Sequence, residues 1–181
     1  MSVKTLADGN TKVTLLAAAP ADKNAITLTE LTGAGAKDIS CQILKSDFDY
    51  GPTGSETVDE APLCAEGNGQ TPGLSNFGGG WSIFRYWDPE TGLADDTDDF
   101  LWEAAKTKGT TLYLAVRDSH KKSKEAWAED DEYRYFEVVT DDPQRGERSG
   151  YIKYRQTLLH QDAALDKLVV AAEGGGEIEN G

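Results

Sequence analysis

The pattern of apolar and polar positions is clearest between residues 98 and 117, where a helical repeat is followed by a strand-like one. Four apolar residues fall on one side of the first half at helical spacing: Phe100, Leu101, Ala104 and Ala105. Asp98 precedes them and can cap free amides, while Lys106 and Gly109 follow, which suits the helix dipole and a left-handed exit. The pattern therefore predicts one helix over about 98–108 and a strand over 111–117.

Elsewhere apolar residues alternate with polar ones, which is typical of half-buried β-strands. Strands are predicted at residues 12–16, 25–31, 38–44, 81–87, 132–140 and 151–161, with 164–171 continuing the sheet. In the 38–44 segment, Ile39, Cys41 and Ile43 share the face that we expect to be buried. The aromatic strand 81–87 has large side chains on both faces, so it is either central to a sandwich or half-covered by a neighbouring molecule.

A long stretch of poor periodicity covers residues 45–80, with one short strand predicted around 56–59. Loops of this length are uncommon in compact domains and are generally functional. The chain therefore divides into a polar arm (1–24), a β domain (25–171) and a glycine-rich tail (172–181). The domain is predicted to be an assembly of sheets covered by a single helix.

Composition narrows the range of functions. The 181 residues suffice for one domain with a core. The net charge of −14 disfavours nucleic-acid binding, because such a surface repels phosphate. No apolar run approaches the roughly 18 residues of a membrane helix, so no membrane partner is predicted.

Candidate chemistry is weak throughout the sequence. Asp118, Ser119 and His120 have the residue types of a catalytic triad, but neighbours in one turn cannot point at each other as a triad requires. The acidic run 88–99 lacks the spacing of a calcium loop and is interpreted as a solvated link. Cys41 and Cys64 have no metal-ligand spacing. We therefore predict no catalytic residues, no metal and no cofactor.

Several short stretches carry a family resemblance through their order and spacing. They are residues 3–10, 12–13, 20–22, 38–46, 57–60, 63–68, 72–77, 108–110 and 150–153. Together they resemble the tail tube (major tail) proteins of long-tailed, siphovirus-type phages of actinobacteria. The likeness spans nearly the whole chain.

The resemblance implies a two-sheet β-sandwich or partial barrel with one helix packed against it. It also implies a structural subunit of the virion tail, assembled in the host bacterial cytoplasm into stacked hexameric rings for genome delivery. Tape measure, tail terminator and tail tip proteins are the implied partners, besides other copies of the chain. The arm and the long loop would reach the next ring, with candidate contacts at Val3, Lys4, Leu6, Tyr50, Pro52, Thr57 and Val58.

A conduit for DNA should have a net negative wall, because each lysine or arginine that meets a DNA phosphate adds salt-dependent affinity. We therefore expect the basic loop of Lys121, Lys122 and Lys124 away from the channel, either on the outer surface or at a contact with an acidic segment of a neighbour such as residues 95–99. A reducing cytoplasm favours free thiols, and we expect Cys41 and Cys64 to be buried, although the loop between them permits a bridge.

Two other functions fit the sequence. One is a secretion-system-like tube protein of the same fold. The other is a monomeric β-sandwich carbohydrate-binding module, which the aromatic strand 81–87 could serve. Only a tube protein should form long particles visible by negative stain.

Overall fold

The structure is a computed structural model that describes residues 4–58, 60, 63–64, 67, 69–95 and 97–171. Its elements in chain order are β1 (Thr11–Leu16), α1 (Leu28–Thr32), β2 (Lys37–Asp38), β3 (Gly51–Val58), β4 (Thr71–Gly78), β5 (Gly80–Phe84), α2 (Phe100–Ala105), β6 (Thr111–Asp118), β7 (Glu132–Thr140), β8 (Gln144–Arg145) and β9 (Lys153–Leu168). Two 3-10 turns, Ser40–Gln42 and Lys45–Asp47, lie between β2 and β3. The fold is therefore mainly β, as predicted.

The strands form two sheets. The larger has the order β2-β1-β6-β7-β9-β5, with β8 also paired to β9, and every pair in it is antiparallel. β3 and β4 form a separate two-stranded sheet. The two-sheet fold that the resemblance implies is thus confirmed.

Both faces of the larger sheet are buried. Alternate residues of β6 show this, because Leu112 and Leu114 belong to one core cluster while Ala115 belongs to the other. The first cluster lies under α2 and β5 and includes Trp81. The second lies under α1 and the loop that carries Trp127. Covering both faces explains why β6 and β7 have large side chains on each side.

The predicted helix forms as α2, but it is capped by a residue distant in sequence. The Oε1 atom of Gln42 accepts a hydrogen bond from the amide of Leu101 at 3.1 Å, and its Nε2 donates to the carbonyl of Asp98 at 2.9 Å. The predicted cap by Asp98 is therefore wrong, since a buried amide fills that role. Gly109 has φ of 83°, which confirms the left-handed exit.

Most predicted strands are confirmed, and two are wrong. The 25–31 segment overlaps α1, which begins with a capping box in which Thr27 and Glu30 bond each other's backbone amides. The 38–44 segment turns through a 3-10 helix after Asp38, so Cys41 points outward while Ile39 stays buried. Cys41 and Cys64 are free and exposed, and the prediction of buried thiols is wrong.

The predicted arm and the predicted long loop both contain strands of the fold. β1 lies inside the larger sheet, between β2 and β6, so residues 11–16 of the predicted arm form an integral strand, as predicted for residues 12–16. The 45–80 stretch contains the β3–β4 hairpin, which is far longer than the short strand predicted at 56–59. Residues 172–181, the predicted tail, lie outside the described residues.

Candidate assembly surfaces

The β3–β4 hairpin projects from the domain with little covering. From Pro52 to Val58 and from Thr71 to Asn76 every described residue is exposed. Its pairing is interrupted twice, between Pro52 and Gly54 and between Ser55 and Thr57. Isolated two-stranded ribbons are marginally stable in water. We therefore interpret the exposed faces of this hairpin as a surface that another molecule can cover.

Aromatic contacts anchor the base of the hairpin to the sheet. Phe77 stacks on His160 of β9 with ring centroids 4.1 Å apart, and Tyr50 meets Phe136 of β7 edge-on at 5.1 Å. The hydroxyl of Tyr50 lies 3.2 Å from Nδ1 of His160. Burial lowers the pKa of His160 and raises the pKa of Tyr50 to about 12, so both stay neutral near pH 7. These contacts therefore anchor the base of the hairpin to the sheet, whereas residues 52–58 and 71–76 are exposed.

Gly79 fixes the angle at which the hairpin leaves β5. Its φ is 114°, which side-chain-bearing residues rarely adopt. A Cβ atom there would lie 2.6 Å from the carbonyl oxygen of Asp49. Neither the φ angle nor the distance to the Asp49 carbonyl leaves room for a side chain, so only glycine suits position 79, between β4 and β5.

The predicted inter-ring residues fall into three groups. Pro52, Thr57 and Val58 are exposed on the hairpin, and Lys4 and Leu6 are exposed before β1. Tyr50 is only 7% exposed and packs inside the subunit, so its role as an inter-ring contact stays a prediction. Val3 lies outside the described residues.

One edge of β9 is open. β5 pairs with Lys153–Thr157 on the side of β9 opposite to β7, and β7 pairs with the remainder of the strand up to Leu168. Within the described part of the chain, no strand pairs with the β5 side of β9 from Leu159 onward. The carbonyl of His160 instead accepts a hydrogen bond from the Gln161 side chain at 2.8 Å. An open strand edge is a template for pairing with another chain.

The predicted basic loop is built around a buried arginine, which the sequence analysis missed. Arg117 is fully buried, and its guanidinium donates to Asp131 and to the carbonyls of Lys122, Glu125 and Ala126. Its Cζ lies 5.1 Å from the ring centroid of Trp127. This loop is thus a folded cap over the second core cluster.

The three lysines of that loop differ in environment. Lys121 is partly covered and pairs with Asp131, whereas Lys122 and Lys124 are exposed. Burial raises the pKa of Asp131, but hydrogen bonds from Lys121, the Ala128 amide and Arg117 outweigh it and hold that pKa below its usual range. Of these three lysines, Lys121 is therefore a structural residue, whereas Lys122 and Lys124 are exposed and form no ion pair with the described part of the chain.

A second buried ion pair joins α2 to β5. The Nε of Arg85 lies 2.9 Å from Oδ2 of Asp99, a carboxylate that is 1% exposed. The guanidinium also packs against two indole rings, 4.9 Å from the centroid of Trp87 and 4.5 Å from that of Trp102. The arrangement holds Trp87 at the surface, where it is 47% exposed. The aromatic strand thus ends in a surface feature and not wholly in the core.

The residues considered for chemistry have structural roles. Oδ1 of Asp118 accepts a hydrogen bond from the Thr11 hydroxyl at 2.6 Å, and the Ser119 hydroxyl accepts from the Lys121 amide, so they do not form a triad with His120. In the acidic run, Asp88 and Asp95 accept from backbone amides of their own turns. Among the described residues no His, Cys, Asp or Glu group could hold a metal ion, and no helix is long and apolar enough to cross a membrane.

The chain as a whole matches a known protein family. A protein-family model described as phage tail tube protein matches residues 1–173. The match includes the hairpin, the open edge of β9 and both buried ion pairs. No match is found among curated proteins.

Proposed function

The chain belongs to the phage tail tube protein family, and from this premise we propose that it forms hexameric rings that stack into the conduit for genome delivery. As a member of the family it is a structural component of the virion tail. Assembly in the bacterial cytoplasm belongs to the proposal, as do contacts with a tape measure protein and with terminator or tip proteins at the tube ends. The DNA would pass through the lumen without specific binding.

The exposed hairpin is the observation that carries the proposal. Its base is anchored by contacts of Tyr50, Phe77 and His160, yet both of its strands are exposed beyond that base. Ribbons of this kind gain stability when a neighbour covers them. A stack of rings supplies such a neighbour for every hairpin except those in the last ring.

The open edge of β9 supports closure within one ring. Closing a ring pairs or covers strand edges that would otherwise lead to disordered association. β9 offers the stretch beyond Leu159 on one side, and the short strand β2 ends the sheet on the other. A cyclic arrangement brings these two ends of neighbouring subunits together.

The charge of the chain supports a conduit that does not retain DNA. The net charge is −14, and a negative wall avoids the counterion release that drives binding to phosphates. Two arginines and one lysine, Arg85, Arg117 and Lys121, are paired with Asp99 or Asp131 inside the subunit. They therefore add no free positive charge to any wall.

The decisive experiment is imaging of the purified chain. We expect negative-stain micrographs at increasing protein concentration to show rings and then tubes of constant diameter, with six subunits in class averages. A chain that stays monomeric at high concentration would contradict the proposal. The carbohydrate-binding alternative requires such a monomer, so the same images test it.

A hairpin variant separates stacking from ring closure. Replacing residues 53–76 with a short glycine-containing turn leaves the base contacts of Tyr50 and Phe77 in place. We expect the variant to fold and to form rings that do not grow into long tubes. Tubes of normal length from this variant would show that the hairpin is not the connector.

A further inference from the structure

A cluster of basic side chains lies at the turn between β8 and β9. The sequence alone did not point to this cluster. It consists of Arg145, Arg148, Lys153 and Arg155, with Glu147 as the one acid between them. The three arginines are exposed, and among the described residues none of the four bases forms an ion pair. In a chain of net charge −14, this turn is a local region of opposite sign.

Exposed aromatic and aliphatic side chains adjoin this basic turn. Tyr151 is 81% exposed and meets Phe84 edge-on at 5.9 Å, and Ile152 beside it is 52% exposed. A groove of about 390 Å³ runs along them, lined by Cys41, Phe84, Arg85, Tyr86, Trp87 and Tyr151. Exposed aromatic residues next to arginine are typical of protein interfaces. We call the basic turn and this groove together the basic–aromatic surface.

The hairpin has the complementary charge. Residues 51–78 contain four acids, Glu56, Asp59, Glu60 and Glu66, and no lysine or arginine. Glu56 and Glu60 are exposed, and so are Leu63 and Leu74, which could enter an aromatic groove. The hairpin thus combines acidic and apolar groups in the same way as the basic–aromatic surface combines basic and aromatic ones.

The two surfaces lie at opposite ends of one strand pair. The hairpin joins β5 at Gly80, which pairs with Thr157, whereas the basic turn adjoins Phe84, which pairs with Lys153. Complementary patches on opposite ends of a subunit produce head-to-tail contacts, and these propagate into open stacks.

We propose that the hairpin of one copy docks on the basic–aromatic surface of the copy in the adjacent ring. The inference rests on the proposed tube function and adds the acceptor that the connector meets. Glu56 and Glu60 lie against Arg145 and Arg148, and the apolar residues of the hairpin cover Tyr151, Ile152 and Trp87. Opposite charges at the rim steer encounter and fix the register of the stack.

Charge reversal tests the contact in the full chain. We expect Arg145→Glu/Arg148→Glu to raise the protein concentration needed for tube growth by about tenfold, with circular dichroism unchanged because both residues are exposed. Adding Glu56→Arg/Glu60→Arg to this variant should restore growth. The matched control is Lys122→Glu/Lys124→Glu, which reverses two exposed bases elsewhere and should leave growth unchanged.

Native cysteines provide an independent readout. The chain has two, with Cys64 four residues after Glu60 and Cys41 lining the groove. A short bismaleimide added to assembled tubes should therefore join Cys64 of one copy to Cys41 of the next and give a ladder of covalent oligomers in denaturing gels. Cys64→Ser should abolish the ladder.

Several results would overturn the inference. They are unchanged growth of the arginine variant, failure of the swapped pair to restore growth, an equal loss in the lysine control, or no ladder from intact tubes. Binding of a duplex oligonucleotide that the arginine variant loses would assign the surface to nucleic acid instead. If the unmodified chain still forms tubes, any of these results leaves the proposed function standing. If the unmodified chain forms no tubes, the proposed function itself is contradicted.

Discussion

At the residue scale, the most informative group is Arg117, because its charge is buried completely while both terminal nitrogens of the guanidinium are hydrogen-bonded and only Nε has no partner among the described residues. Its guanidinium reaches one carboxylate and three backbone carbonyls, and it stacks on Trp127. Desolvating a cation costs several kcal/mol, so such a residue persists only with partners of this quality. Arg117 therefore organises the whole loop between β6 and β7.

Arg117→Ala should lower the free energy of unfolding by about 3–5 kcal/mol, because it removes the buried guanidinium that pairs with Asp131 and with three loop carbonyls, and leaves Asp131 with Lys121 as its only ion-pair partner among the described residues. Denaturant titration followed by tryptophan fluorescence measures the change. Arg134→Ala is the matched control, since Arg134 pairs with Asp166 at the surface and its loss should cost less than about 1 kcal/mol. Equal losses in the two variants would contradict the role of Arg117.

His160 should make stability depend on pH. Its pKa is lowered by burial, so the unfolded chain binds the proton first as pH falls below the ordinary value of 6.5. The contribution of His160 to the free energy of unfolding is therefore complete above pH 6.5. It is lost as the pH falls from 6.5 toward the pKa of His160 in the folded chain. Nearby Asp162 opposes the shift and Lys23 adds to it.

His160→Phe keeps a ring against Phe77 but cannot bind a proton. We expect its thermal midpoint to fall less than that of the unmodified chain between pH 7 and about 5.5. Thermal melts at both pH values, monitored by near-ultraviolet circular dichroism, give the comparison. If the thermal midpoints of the variant and of the unmodified chain fall by the same amount, the pH dependence comes from other groups.

At the scale of elements, the hairpin shows how one backbone position sets the direction of a whole ribbon. Gly79→Ala should destabilise the chain by about 1–3 kcal/mol, because φ of 114° is strained for alanine and its Cβ would meet the Asp49 carbonyl. Gly67→Ala is the control, since a Cβ there meets nothing within 4 Å. Calorimetry of both variants tests the difference, and an unchanged Gly79 variant would contradict the strain argument.

The cap of α2 belongs to the same scale. Gln42→Ala removes the acceptor for the Leu101 amide and the donor to the Asp98 carbonyl, so we expect a loss of about 1–2 kcal/mol. Gln144→Ala, at an exposed glutamine of β8, should be neutral within about 0.5 kcal/mol. Urea unfolding distinguishes the two, and a neutral Gln42 variant would mean that the helix needs no cap from the 3-10 turn.

At the scale of the whole molecule, the two ends of β5 carry different surfaces, with an acidic hairpin at one end and the basic–aromatic surface at the other. Hydrogen exchange should show whether assembly covers both surfaces. In dilute subunits the amides of Gly51–Val58 and Thr71–Gly78 should exchange fast beyond the anchored base, because the ribbon is exposed.

In assembled tubes, the same amides should become strongly protected, together with those around Tyr151 and Ile152. The buried strand β6 is the internal control, since its protection should not depend on assembly. Mass spectrometry of matched samples below and above the assembly concentration gives the measurement. A hairpin that is equally protected in both samples would contradict its role as a connector.

The sequence by itself determined the elements whose signals are local. The helix at α2 and the strands β6 and β7 follow from apolar spacing, and the exit at Gly109 follows from the need for a positive φ. The ordered short motifs also sufficed to indicate the tail tube family. The capping box at Thr27 and Glu30 was a local signal too, but the alternation of Ile26 and Leu28 with threonines favoured a strand interpretation.

Only the tertiary structure decided which residues meet across the fold. Gln42 caps a helix 59 residues away, and Arg85 finds Asp99 between two indole rings. The bases around Tyr151 became recognisable as a surface once the β8–β9 turn was seen exposed beside Phe84. Periodicity reports the face of one element, whereas burial, ion pairing and open edges depend on which elements become neighbours. Those contacts join residues far apart in the chain, so no local pattern encodes them.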